Sequence, residues 1–195
     1  MDCRFLFFIF ILLPVRTLFA HQFLTMPLFV ERVYPASVAA RWEWVFMINP
    51  IIIVVFVPLI AALTLKRKVI DMMIVGTTIT ALSSFLLCPR PTVLWLVAYM
   101  VIFSLGEAVW SSRFLEYIAD IAPVERVGVY MGIATIPWFL AKMCTGFYAG
   151  FMLDWLVPTT GAQSPETLWL IYGLMALVSP VALILFRRWL VNGVY

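Results

Sequence analysis

The chain has 195 residues, of which 65% are hydrophobic and only 12% charged, and its mean hydropathy is +1.06. Soluble domains carry roughly a quarter of their residues as charges, so this composition excludes a water-soluble core and points to an all-α integral membrane protein whose first partner is the lipid bilayer. The formal net charge of +3 is small and comes from short basic clusters between apolar runs, which argues against a nucleic-acid surface and for membrane-orientation signals.

A hydrocarbon core roughly 30 Å thick is crossed by about 20 predominantly apolar helical residues. Six such runs stand in the chain, at roughly residues 4–30, 46–65, 69–87, 92–112, 127–156 and 168–186, and together they read as one domain. The first run carries Arg16 and His21, and Thr17, His21 and Thr25 recur every four residues as a polar stripe expected to face a pathway. Its opening, residues 1–20, also has the basic start, apolar core and small final residue of a cleaved signal peptide. Arg16 interrupts the cleavage region, however, and apolar character resumes at once, which favours a single kinked span. After the second run come Lys66, Arg67 and Lys68, and the interior of the third run is apolar. The fourth carries Glu107 and Ser111 on one face, with Arg113 and Glu116 three apart near its end, spaced for an ion pair or gate contact. The fifth has Lys142 deep inside it and two Gly-xxx-Gly pairs, Gly128 with Gly132 and Gly146 with Gly150, that predict close helix packing. The sixth is apolar and ends at Arg187 and Arg188. Pro14, Pro58, Pro137 and Pro180 lie within these runs and predict kinks.

Under this count Arg4, Lys66, Arg67, Lys68, Arg126, Arg187 and Arg188 collect on one side of the membrane. Arg32, Arg41 and Arg90 lie on the other with Glu31, Glu43 and Glu166, so the positive-inside rule predicts cytoplasmic termini. Trp42, Trp44, Trp95, Trp155 and Trp169 fall near the predicted exoplasmic ends, where amphipathic rings prefer to sit.

Ionisable groups inside spans are costly and usually face a bundle interior or a water-filled cavity. Here the first and fourth spans are polar and the third and sixth are lipid-like, a period that fits two three-helix repeats lining a central pathway. Two readings of Glu107 stand side by side: a direct substrate or proton group, or the buried partner of Lys142 or Arg16. His21 likewise reads as a proton acceptor or as a hydrogen-bonded interior histidine. The sequence has no HExxH or GxSxG motif, and Cys3, Cys88 and Cys144 share no metal-ligand spacing, so no enzyme activity, metal or cofactor is expected.

Gly106-Glu107, Ser111, Leu115-Glu116 and Ala122-Pro123, followed by Met131-Gly132, resemble the tenth helix and following loop of proton-dependent oligopeptide transporters, a branch of the major facilitator superfamily. The resemblance implies the C-terminal six-helix half of such a transporter, working with an N-terminal half or a second six-helix bundle. It carries to Glu107 the binding of a peptide's amino end. The segment Leu18 to Gln22 is similar to the family's seventh-helix segment, in which an acid precedes the glutamine; His21 stands in its place, and Ser111-Ser112 replaces the family's Ser-Pro. The expected function is transmembrane transport of a small polar or zwitterionic solute, with proton coupling as one option. The competing expectation is a non-transporting assembly or receptor subunit.

Overall fold

The computed structural model describes residues 3–89 and 91–191, so the orientation signal read at Arg90 lies outside the described residues. Six helices are long and apolar enough to cross a membrane: α1 Cys3–Leu24, α2 Trp42–Leu63, α3 Val69–Leu87, α4 Val93–Ile121, α5 Val124–Leu156 and α6 Pro165–Leu185. No strand occurs among the described residues.

Their continuity follows the prolines only in part. α1 is interrupted at Leu12, two residues before Pro14, and a further helix, Met26–Val33, begins after Thr25 with Pro27 in its first turn. α5 is interrupted at Thr135, again two residues before a proline, Pro137. In each case the proline has no amide to donate and its ring crowds the carbonyl four residues back. The first-turn amide of Val15 donates instead to Ser179 Oγ of α6 at 3.0 Å. Pro58 and Pro180, by contrast, lie inside helices that run on without interruption. α4 also departs from expectation: it continues through Arg113, Glu116 and Asp120 to Ile121 instead of ending near residue 112. These charges sit on its last turns because nothing between Glu107 and Ile121 breaks a helix; Pro123 lies just beyond its end.

Packing arranges the six helices in two layers. α1 packs against α5 and α6, α4 packs against α2 and α3, and α3 and α6 pack on each other. α1 meets α4 through side chains, with the rings of Phe19 and Phe103 6.3 Å apart. The front row therefore reads α5, α1, α4, α2, with α6 and α3 behind its centre. The flanking helices are the least covered. Only 6% of the apolar stretch of α2 and 17% of that of α5 is buried, against 44–50% in the other four.

Two apolar clusters fill the bundle, one around Phe5, Phe8, Leu12, Tyr117 and Leu183, the other around Phe29, Tyr99, Phe103 and Trp169. Trp169 is fully buried in the second and is no interfacial anchor, whereas Trp44 and Trp155 are exposed. α3 and α4 cross closely at two glycines. A Cβ at Gly106 would lie 2.5 Å from Thr80 Oγ1 and 2.7 Å from its amide nitrogen, and one at Gly76 would lie 2.7 Å from the amide nitrogen of Trp110. The glycines expected to pack, Gly128, Gly132, Gly146 and Gly150, have nothing within 4 Å of where a Cβ would stand. They face outward because α5 offers most of its circumference to its surroundings, so the Gly-xxx-Gly spacing marks no contact within this chain.

Candidate functional site on the front row

The site begins at Glu107 on α4. Its Oε2 accepts a hydrogen bond from Asn49 Nδ2 of α2 at 2.8 Å, and the same nitrogen lies 3.1 Å from Ser104 Oγ. Ser104 in turn donates to the Met100 carbonyl at 2.6 Å, so the carboxylate is held by a chain of polar groups that crosses from α2 to α4. No ion pair joins Glu107 to Lys142 or Arg16; the ion pairs among the described residues are Arg32–Asp154, Arg113–Glu116 and Arg187–Asp71. The half-buried Glu107 is thus partnered by an amide and not by a cation. Ser111, one turn on, is also half-buried on that side of α4.

On the other half of the row two cations share one indole. Arg16 of α1 is 4% exposed, and its guanidinium carbon stands 4.2 Å from the Phe114 ring centroid, 5.7 Å from that of Trp110 and 5.9 Å from that of Trp138. Its Nε has no hydrogen-bond partner. Lys142 of α5 is exposed, with Nζ 5.0 Å from the Trp138 centroid and 5.8 Å from that of Phe23. Cation–π contacts of this kind contribute about 0.5–2 kcal/mol, less than the roughly 2.5–3.5 kcal/mol that a cation at mid-span costs. The rings steer these charges without cancelling them.

The Thr17, His21 and Thr25 stripe does not face the open side. All three are buried, and His21 lies between α1, α5 and α6: Nδ1 is 2.7 Å from Thr25 Oγ1, Nε2 is 3.1 Å from Tyr148 Oη, and the ring stacks on Tyr172 with centroids 3.8 Å apart. Both nitrogens are satisfied, which is the interior-histidine geometry. Gln22 is buried as well and donates to Tyr99 Oη of α4, leaving its Oε1 unpartnered. The stripe spacing was correct, but the tyrosines of α5 and α6 claim that face.

Arg113 and Glu116 do pair, and the pairing is part of a larger clamp. Arg113 is 1% exposed and reaches the end of α2, where Nη2 donates to the Ala61 carbonyl at 3.2 Å and to Thr64 Oγ1. It thereby supplies a donor to the last, otherwise unmatched turn of that helix. Two contacts that the sequence reading missed tie other ends together. Asp71 of α3 accepts two bonds from Arg187, at 2.5 and 2.8 Å; this carboxylate raises the Arg187 pKa further above its ordinary value. Arg32 reaches both Asp154, at 2.7 Å, and the Val157 carbonyl, at 3.0 Å. In the sequence Arg32 and Arg187 count only as orientation charges, and Asp71 and Asp154, which lie inside the third and fifth runs, are not singled out. Among the described residues no three histidine, cysteine or acidic side chains come together to hold a metal.

No family model matches the chain, and no curated protein does. The site is therefore read from its own chemistry: one carboxylate held across two helices, two uncompensated cations on a neighbouring pair, and aromatic walls between them.

Proposed function

We propose that this chain is half of a solute carrier, a six-helix multi-pass membrane bundle with cytoplasmic termini that moves a small polar or zwitterionic solute together with a second six-helix bundle. The observation that carries the reading is Glu107. It is an intramembrane carboxylate on the front row, held only by an asparagine from the neighbouring helix, and ionisable groups so placed usually mark a substrate or proton path.

The packing supports a division into two three-helix repeats. Exchanging α1 with α4, α2 with α5 and α3 with α6 turns the α1–α5 pair into α4–α2 and the α1–α6 pair into α4–α3, and leaves α3–α6 unchanged. That is the relation expected of internally repeated transporter halves. It agrees with the resemblance of the Gly106 to Gly132 region to the C-terminal half of proton-dependent oligopeptide transporters, in which the second bundle supplies the other wall of the pathway. Proton coupling rests on the same carboxyl, which changes charge when it gains or loses a proton.

Glu107→Gln tests the reading in a carrier reassembled from this chain and its second bundle. Glutamine keeps the acceptor for Asn49, so protein level and membrane insertion stay near wild type while uptake is lost; Glu107→Asp retains part of it. Initial uptake against external pH, normalised to protein in the membrane, is the measurement. Wild-type uptake and pH dependence in Glu107→Gln would return the residue to a structural role and leave the scaffold-subunit reading standing.

A further inference from the structure

We infer that the solute carries an anionic group next to an apolar part, and that the anionic group docks between α1 and α5 at Lys142, with Arg16 supplying a second positive charge near the Trp138 indole. The inference rests on the transport reading for its context but not for its geometry.

Three features of the structure converge there. The distances of Arg16 and Lys142 from the Trp138 centroid, 5.9 and 5.0 Å, together place the two cationic centres within about 11 Å of each other. Neither belongs to an ion pair of the described residues. The Arg16 side chain is almost fully buried, yet its Nε lacks a partner. Two like charges held this close without a counter-ion, in surroundings of low dielectric, create a field that favours an anion.

The space beside them has the matching shape and chemistry. A groove of about 370 Å3 runs between the two helices, lined by Ala20, Phe23, Leu24, Met143 and Gly146, with Lys142 as its one charged wall. That volume lies in the roughly 300–1,000 Å3 range of small-molecule sites, which pair apolar walls with a few placed polar groups. Gly146 keeps the groove open, since no atom lies within 4 Å of where its Cβ would stand. Lys142 is a compact point charge with three donors, suited to a carboxylate or phosphate monoester. The occupant we assign is a soluble organic anion and not a lipid, because Lys142 lies about 14 residues, roughly 21 Å, before the end of α5 at Leu156. That depth is far from the headgroups.

The test is equilibrium binding of radiolabelled benzoate to the full chain in phosphatidylcholine nanodiscs, with benzyl alcohol and benzylamine as neutral and cationic competitors of the same shape. Benzoate should bind saturably, and neither competitor should displace it at matched concentration. Lys142→Gln removes the charge from an exposed side chain, and Gly146→Leu fills the groove while both cations stay in the chain. Each should weaken benzoate at least about tenfold, while Lys142→Arg keeps most of the affinity. Arg16→Lys should weaken it less than Lys142→Gln. Equal displacement by benzyl alcohol, or unchanged affinity in Lys142→Gln, would overturn the proposal. So would loss of benzoate binding in discs containing phosphatidylglycerol, which would give the groove to lipid headgroups. Binding is read without flux, so intact benzoate binding in a carrier that moves nothing sinks the transport reading alone, and uptake without benzoate binding sinks this one alone.

Discussion

A charge in hydrocarbon is conspicuous, and that is why Glu107, Arg16 and Lys142 could be singled out from the sequence. Their partners could not. Asn49 carries no charge and precedes Pro50, so it reads as a turn signal; only the crossing of α2 over α4 brings it to Glu107. His21 shows the complementary failure: four-residue spacing places side chains on one face of a helix, but not which neighbour that face meets. The glycines make the same point with opposite sign, because the tight crossing uses Gly76 and Gly106, one from each helix, and no spacing within a single helix could pair them. Their substitution separates the two cases. Gly106→Ala should destabilise the bundle by about 1–3 kcal/mol, since the added methyl meets the backbone of Thr80 as well as its hydroxyl. Gly146→Ala should leave stability unchanged or raise it by up to about 1 kcal/mol, as an alanine in an uncrowded helix does. Denaturant titration of both variants in mixed micelles checks the contrast; equal losses would mean that the α3–α4 crossing is looser than described.

The number of membrane-length helices was legible in the sequence because six apolar runs are each close to or above the length that a span needs. Their ends were harder. The charged tail of α4 looks like the start of a loop, yet Arg113 is drawn inward by the carbonyl of Ala61 and the hydroxyl of Thr64 at the end of α2. A bond from a charged donor contributes about 1.5–3 kcal/mol, so this clamp fastens the last turn of α2, the least buried helix. Arg113→Met should lower stability by about that amount and loosen the last turn of α2 selectively. Hydrogen–deuterium exchange should speed up at residues 60–64 while the α3–α4 crossing keeps its protection. Uniform acceleration, or none, would assign the clamp no role in holding α2. The Asp71–Arg187 pair is a weaker fastening in spite of its two bonds, because its side chains are 39% and 43% exposed and solvent-exposed pairs contribute little.

At the scale of the whole molecule, the proposed half-carrier needs a second wall opposite the front row. α2 and α5 lie at its two edges and are covered least, and the charges they flank are the ones an isolated bundle in lipid would have to leave uncompensated. The chain reconstituted as a monomer should therefore move no solute, since alternating access needs two bodies rocking about a site between them. It should also self-associate when no second bundle is supplied. Mass photometry or single-molecule bleaching in liposomes reports the stoichiometry, and flux is read in the same vesicles. Robust flux from monomers would end the half-carrier reading, whereas flux confined to dimers would make the chain its own second half. A reporter at each terminus should face the cytoplasm; opposite sides for the two would contradict an even number of crossings.

The uninterrupted course of α4 has a mechanical consequence. Gly106 sits near the middle of this helix, with arms of about 20 Å toward Val93 and about 22 Å toward Ile121, and it approaches Thr80 so closely that a Cβ would lie 2.5 Å from the hydroxyl oxygen. A helix pinned at that crossing would work as a balance beam. Tilting it by about 5° on this fulcrum displaces both tips by nearly 2 Å in opposite directions, by the same rise per residue. Glu107 is the residue next to the pivot, and Arg113, with its grip on α2, rides on the longer arm. If Glu107 changes charge during transport, as the proposed function requires, the change would act where such a beam moves least and be read where it moves most, as a closing of one end of the bundle and an opening of the other.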